Sequence, residues 1–158
     1  MNLSDYCSHD ATGLADLVRR GDVSARELTE AARAAHEKVD PDINAVVEFY
    51  DDAEAVSGPQ QGAFAGVPFL RKDIGATEAG RLQEFGSRLM KGNVAALDSY
   101  YTTRAKKSGL RYVGRSAVPE FAFAGFTETL LEGITRNPWN LDRSAGGSSG
   151  GAAAAVAA

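Results

Sequence analysis

At 158 residues, with 44% hydrophobic and 24% charged composition, the chain carries enough apolar content for one core of ordinary size, which excludes a disordered segment. A formal charge of -4, with lysines and arginines scattered along the chain, offers no basic field to a phosphate backbone, so no nucleic-acid partner is expected. The single cysteine, Cys7, cannot close an intramolecular disulfide, and MNLSDYCSHD lacks the basic start and apolar stretch of a secretory signal, which fits a reducing cytoplasm.

Asp10 is placed to cap a first helix, with Leu14, Leu17 and Val18 at helical spacing and Gly21 positioned to end it. Ser24 and Glu27 then form a capping-box pattern, and Leu28, Ala31, Ala32 and Ala35 stripe a second helix that Pro41 is expected to stop. Residues 1–40 therefore read as a helical opening segment and residues 41–158 as the start of an α/β core. Ile43 to Tyr50 is rich in strand formers, whereas Asp51 to Gly62 is polar and loop-like, with Gly58, Pro59, Gln60 and Gln61 near its end. The apolar run that passes into charge at Gly66 to Asp73 suggests a strand delivering Lys72 at its exit, with Arg71 pointing to the other face. A helix is expected over Ser99 to Lys107, and Gly109 leads into a short strand, Arg111 to Gly114. Such alternation favours an α/β sheet with helices packed against it. The closing run, Ala152 to Ala158, is apolar throughout but far shorter than the roughly 20 residues of a membrane span, so no membrane segment is expected. A helix apolar all round needs burial against other elements, which predicts that the natural chain continues past Ala158.

The densest chemical signal is Arg143-Ser144-Ala145-Gly146-Gly147-Ser148-Ser149-Gly150-Gly151, four glycines around two hydroxyls just before a helix-forming run. Such a loop can hold a serine in an unusual pose at a helix N-terminus, where free N–H groups favour developing negative charge. A flexible Gly/Ser linker is the other reading, and the residues alone leave both open. A P-loop is excluded, because Gly151 is followed by Ala152 and Ala153 rather than by Lys and Ser or Thr. Histidine-based hydrolysis is disfavoured too: His9 and His36 both lie in the helical opening, far in sequence from Ser148. No His/Cys cluster supplies metal ligands. Lysine can replace histidine as a base only if its ammonium loses its proton near neutral pH, which burial and nearby positive charge promote, and Lys72 at the exit of a buried strand is the candidate.

Taken together, AGVPFLRKD at 65–73, FGSRLMKG at 85–92 and GITRNPWNLDRSAGGSSGGAAAAVAA at 133–158 resemble the amidase signature family. The likeness spans nearly the whole chain. It implies an α/β fold with a mixed central sheet flanked by helices, of which this chain is the N-terminal part, about the first third of a typical member. It also implies a Ser-cisSer-Lys triad that hydrolyses small-molecule amides without metal or organic cofactor. Matching motif to motif places the lysine at Lys72 and the bridging serine, preceded by a cis peptide, at Ser148. Gly146, Gly147, Ser149 and Gly150 would then support the loop. The nucleophilic serine belongs to a later Asp-x-Gly-Gly-Ser block beyond Ala158, so residues 1–158 alone are expected to be inactive.

The sequence departs from the family pattern at Gly114-Arg115-Ser116-Ala117-Val118-Pro119-Glu120-Phe121, where many relatives have Gly-Lys-Thr-Asn before the acidic residue. Residues Ala79 to Glu84 lack the threonines common there, and Ala152 stands where a small serine is frequent. The Pro119-Glu120-Phe121 form looks more like stand-alone amidases, cyclic-dimer hydrolases among them, than like the A subunit of glutamyl-tRNA(Gln) amidotransferase. The amidotransferase component is the alternative reading, and an inactive remnant or binding module is a third. A homo-oligomer stays open, since no heptad pattern or self-complementary patch is visible.

Overall fold

Side-chain caps written in the sequence start the first four helices. In the computed structural model, which describes residues 1–55 and 61–158, a short helix α1 (Leu3–Cys7) is opened by Asn2, whose side chain accepts from the Asp5 N–H. Helix α2 (Ala11–Arg20) begins at Asp10, which accepts from the Gly13 N–H, and ends at Gly21 in the left-handed conformation. Helix α3 (Ala25–Ile43) carries the expected capping box: the Glu27 N–H donates to Ser24 Oγ at 3.1 Å, and the Ser24 N–H donates to the Glu27 carboxylate at 2.8 Å. Pro41 does not stop this helix, which runs to Ile43 and is capped by Asn44 in the left-handed region. A proline φ suits a helix, and in the last turn its missing N–H costs one bond; the next turn closes through Asn44 N–H to the Asp40 carbonyl at 2.8 Å. Leu14, Val23, Leu28 and Val67 form one buried cluster, with Leu17 and Val18 packed against it.

The central sheet has three strands, β1 (Val46–Phe49), β2 (Pro68–Lys72) and β3 (Arg111–Ser116), in the order β1-β3-β2. β3 runs antiparallel to β1 and parallel to β2, so the sheet is mixed, as the family resemblance implied. β1 is shorter than the Ile43–Tyr50 expectation because Ile43 closes α3 and Asn44 caps it. Every residue of β3 is buried, the consequence of its central place, and it extends past Gly114 to Ser116. The parallel β2–β3 pair needs a crossover, and the segment that supplies it contains α4 (Tyr100–Lys107), capped by Ser99. Two small hairpins follow, β4 (Glu128–Thr129) with β5 (Gly133–Ile134) and β6 (Arg136–Asn137) with β7 (Asn140–Ser144). Helix α5 (Gly150–Ala157) then packs against α3 and all three sheet strands. Of the expected 51–62 loop, Ala53–Ala55 forms one 3-10 turn, while Gly58, Pro59 and Gln60 lie outside the described residues. No helix among the described residues is long and apolar enough to cross a membrane.

Alternation along β2 sends Lys72 to one face and Arg71 and Asp73 to the other, where both are fully buried. Arg71 donates to the Tyr50 hydroxyl and to Gln83 Oε1, each at 2.7 Å, and to the Leu82 carbonyl. Beside it on β3, Arg115 donates to Glu84 at 2.6 Å, Glu48 at 2.7 Å and Asp73 at 3.0 Å. Burial alone would ease the proton off Arg115, but Asp73, Glu84 and Glu48 outweigh it and hold the guanidinium more firmly charged than usual. Burial likewise pushes the Glu84 carboxyl up, yet the Gly92 N–H and Arg115 prevail and leave it below the ordinary carboxylate range. Glu132 moves the other way, raised chiefly by burial.

Two outcomes are expected. A Cβ on Gly114 would collide with the Glu48 carbonyl and lie 3.1 Å from Leu70 Cδ2; overpacking of this kind costs about 1–3 kcal/mol, so Gly114→Ala should lower the urea midpoint at unchanged slope. The depressed Glu84 pKa adds stability that is present above the unfolded value of about 4.3 and is lost as pH falls through the lower folded value. Glu132 has the opposite sign, since its contribution is complete below that value and fades as pH rises through the raised one. Urea midpoints measured against pH should therefore fall on the acid side in the wild type and fall less in Glu84→Gln.

Candidate active site

Two sequence-distant pieces make the site: the end of β2 and the glycine loop that leads into α5. The loop is a close-packed junction rather than a flexible linker. A Cβ on Gly147 would lie 2.8 Å from both the Ala124 carbonyl oxygen and the Phe126 nitrogen, and one on Gly150 would lie 2.9 Å from Thr127 Cβ. A Cβ on Gly151 would lie 2.5 Å from the Ala45 carbonyl oxygen and 2.6 Å from that of Ala117. Gly146 differs, for its surroundings are open and its φ of +79° is what favours glycine. Hydrogen bonds tie the same contacts: Thr127 Oγ1 donates to the Gly146 carbonyl at 2.8 Å, the Gly151 N–H to the Ala117 carbonyl at 3.2 Å, and the Ala117 N–H to the Ala45 carbonyl at 2.8 Å. The Gly147–Ser148 peptide is cis.

Lys72 is the last residue of β2, paired in register with Ser116 on β3, and it leaves the sheet half-buried. Its Nζ donates to Ser148 Oγ at 2.8 Å and to Ser149 Oγ at 2.9 Å. Ser149 occupies the N-cap position of α5 but makes no side-chain capping bond; its hydroxyl is engaged by the lysine instead. Ser148 is half-buried and Ser149 exposed, so the amine end of this contact opens toward solvent. An amine within hydrogen-bond reach of a hydroxyl is arranged for direct proton transfer in either direction.

The structure thus brings Lys72, Ser148 and Ser149 into one contact, with Gly146, Gly147 and Gly150 shaping the loop beneath them. Neither histidine joins it. His36 stacks on Phe49 with ring centroids 5.3 Å apart and lies 3.8 Å from Asp40, and His9 sits between α1 and α2. Cys7 is exposed and unpaired. Among the described residues, no group of three or more His, Cys, Asp or Glu side chains is arranged to hold a metal ion. Sequence reasoning gave no role to Thr127, whose hydroxyl anchors Gly146, or to Ala117, whose backbone receives Gly151. An isolated threonine carries no pattern; Gly151, by contrast, ends the glycine motif, and its place just inside a helix is the signal of close approach. The Pro119-Glu120-Phe121 departure borders this region: Phe121 and Ala122 have φ of +50° and +57°, the Phe121 N–H donates to the Phe85 carbonyl at 2.8 Å, and Glu120 accepts from Ser87 Oγ at 2.6 Å.

Comparison with known proteins places the chain in a family. Residues 27–158 match the family described as Amidase. A 6-aminohexanoate-cyclic-dimer hydrolase of Paenarthrobacter ureafaciens is 43% identical over 94% of this chain and 31% of its own length. An acylamidase of Rhodococcus erythropolis is 38% identical over 94% and 33%, and the A subunit of the glutamyl-tRNA(Gln) amidotransferase of Acidothermus cellulolyticus is 35% identical over 99% and 33%. Among solved structures, a 6-aminohexanoate cyclic dimer hydrolase complexed with substrate superposes with a TM-score of 0.87 at 41% identity, covering 96% of this chain and 32% of that one. A bacterial aryl acylamidase superposes with a TM-score of 0.84 at 34% identity, covering 92% and 32%. The chain spans about a third of the length of the curated relatives it matches. By family match, sequence identity and fold, the chain belongs to the amidase signature family.

Proposed function

We propose that this chain is the N-terminal portion of a single-domain amide hydrolase and carries the proton relay of a Ser-cisSer-Lys triad. The observation that carries the reading is the 2.8 Å contact from Lys72 Nζ to Ser148 Oγ. In the proposed reaction Lys72, in its amine form, takes the Ser148 proton while Ser148 takes the proton of a nucleophilic serine supplied by a segment following Ala158. That serine forms a C–O bond to the amide carbon, the tetrahedral intermediate collapses with cleavage of C–N, and the relay returns its proton to the leaving amine. Water resolves the acyl-enzyme by the same path. Ser149 holds the Lys72 amine from the other side and keeps it directed at the loop. The transfers use side chains alone and need neither metal nor organic cofactor.

The substrate class that fits best is a small amide, linear or cyclic, acted on by a stand-alone enzyme in a reducing cytoplasm. Identity supports this over a component of an amidotransferase, with 43% to the cyclic-dimer hydrolase against 35% to the amidotransferase relative. Glutaminase activity that depends on partner proteins would favour the latter.

In the full-length protein, Lys72→Ala and Ser148→Ala should each lower kcat by about 10²–10⁴-fold, the usual worth of a positioned acid-base group, at near-normal melting temperature. Unchanged turnover in either variant would remove the relay. Residues 1–158 prepared alone should hydrolyse no amide in the same screen, and turnover by them would show that the chain holds its own nucleophile.

A further inference from the structure

The two halves of the relay share one reference segment, the end of β3. Ser148 is located by the loop and α5, which seat on the Ala117 backbone through Gly151. Lys72 is located by the exit of β2, where the Asp73 N–H donates to the Ser116 carbonyl at 3.3 Å. Two side chains of β3 bind this exit: Ser116 Oγ donates to the Arg71 carbonyl at 3.3 Å, and the buried charge contact is made by Arg115, which meets Asp73 Oδ1 at 3.0 Å while also holding Glu84 at 2.6 Å and Glu48 at 2.7 Å. Asp73 is 1% exposed, and its other partners are the N–H groups of Glu84 at 3.2 Å and Gly86 at 3.3 Å. Three carboxylates converge on one guanidinium that is 3% exposed. A lysine carries the same charge but only a point-like head, whereas the planar fork of arginine reaches several acceptors at fixed angles. Loss of the fork leaves Asp73 buried without its cation, and the strand end bearing Lys72 must shift to resolve that.

We infer that Arg115 is a positioning residue for Lys72: by clamping Asp73 between β2 and β3 it sets the exit of β2 at the distance from Ser148 that proton transfer requires. The inference rests on the relay proposed above. It gives a function to one of this chain's departures from its family's pattern, the arginine at a position where many relatives carry lysine.

The test is steady-state kinetics on full-length Arg115→Lys, with Lys72→Ala as a parallel control. A misplacement near 1 Å costs about 10²-fold in rate, so Arg115→Lys should remain folded and lose about 10- to 100-fold in kcat at nearly unchanged KM. Wild-type kcat in the folded variant, or a rise in KM at constant kcat, would overturn the inference. If Arg115→Lys melts below the assay temperature, Asp73→Asn replaces it, because Arg115 then keeps Glu48 and Glu84; the same kcat loss is expected, and wild-type kcat overturns it. Failure of both variants to fold would assign the cluster to stability and overturn it as well. An active Lys72→Ala enzyme would sink the relay itself, a result distinct from an unaffected Arg115→Lys enzyme beside an inactive Lys72→Ala one.

Discussion

Three backbone segments meet where Gly151, Ala117 and Ala45 touch, and the rest of the structure is arranged around that meeting. Ala117 N–H donates to the Ala45 carbonyl and the Ala117 carbonyl accepts from Gly151 N–H, so the start of β1, the end of β3 and the start of α5 form one hydrogen-bonded junction. Side chains beyond a hydrogen or a methyl group have no room there. Because the junction is backbone against backbone, its geometry is set by covalent dimensions rather than by rotamers, and it fixes the glycine loop against the sheet.

The two faces of β2 then do different work. The face bearing Lys72 looks toward α5 and the glycine loop; the opposite face carries Arg71 and Asp73 into a buried polar layer with Tyr50, Gln83, Glu84 and Arg115. Buried charges are costly unless their partners are complete, and breaking one pair is worse than never having had it. Such a layer tolerates few alternative packings. It trades stability for a single strand position, whereas the apolar clusters, rich in Ala and Val, would allow small slides. An ionic layer thus backs the face of the sheet opposite Lys72 and the glycine loop.

How far the sequence could be read depended on the range of the interactions involved. Asp10, Ser24, Glu27 and Gly21 act within four residues of themselves, and the helices they bound were legible. The period of two along β2 placed Lys72 and Arg71 on opposite faces, and the block motifs linked Lys72 to Ser148. Pro41 misled because a proline is judged by its average cost, while its place in the last turn of α3 removed most of that cost. Helix α1 buries none of its residues and so leaves no apolar period. The hairpins β4–β5 and β6–β7 are too short for alternation to register. Arg115 looked like an ordinary substitution, since its three acids lie 67, 42 and 31 residues away and nothing local announces them.

The strand order β1-β3-β2 carries a consequence for synthesis. β3 is the only strand that touches both others, yet it is made last of the three. While a ribosome is still producing residues 73–110, β1 and β2 both exist as chain but neither has its native neighbour, and their unpaired backbone groups and apolar residues such as Val46 and Phe69 stay available to other molecules. Emergence of a single six-residue segment gives each of them its partner at once. The nascent chain therefore passes through its sheet in one step, and its most vulnerable period is the time taken to translate the crossover.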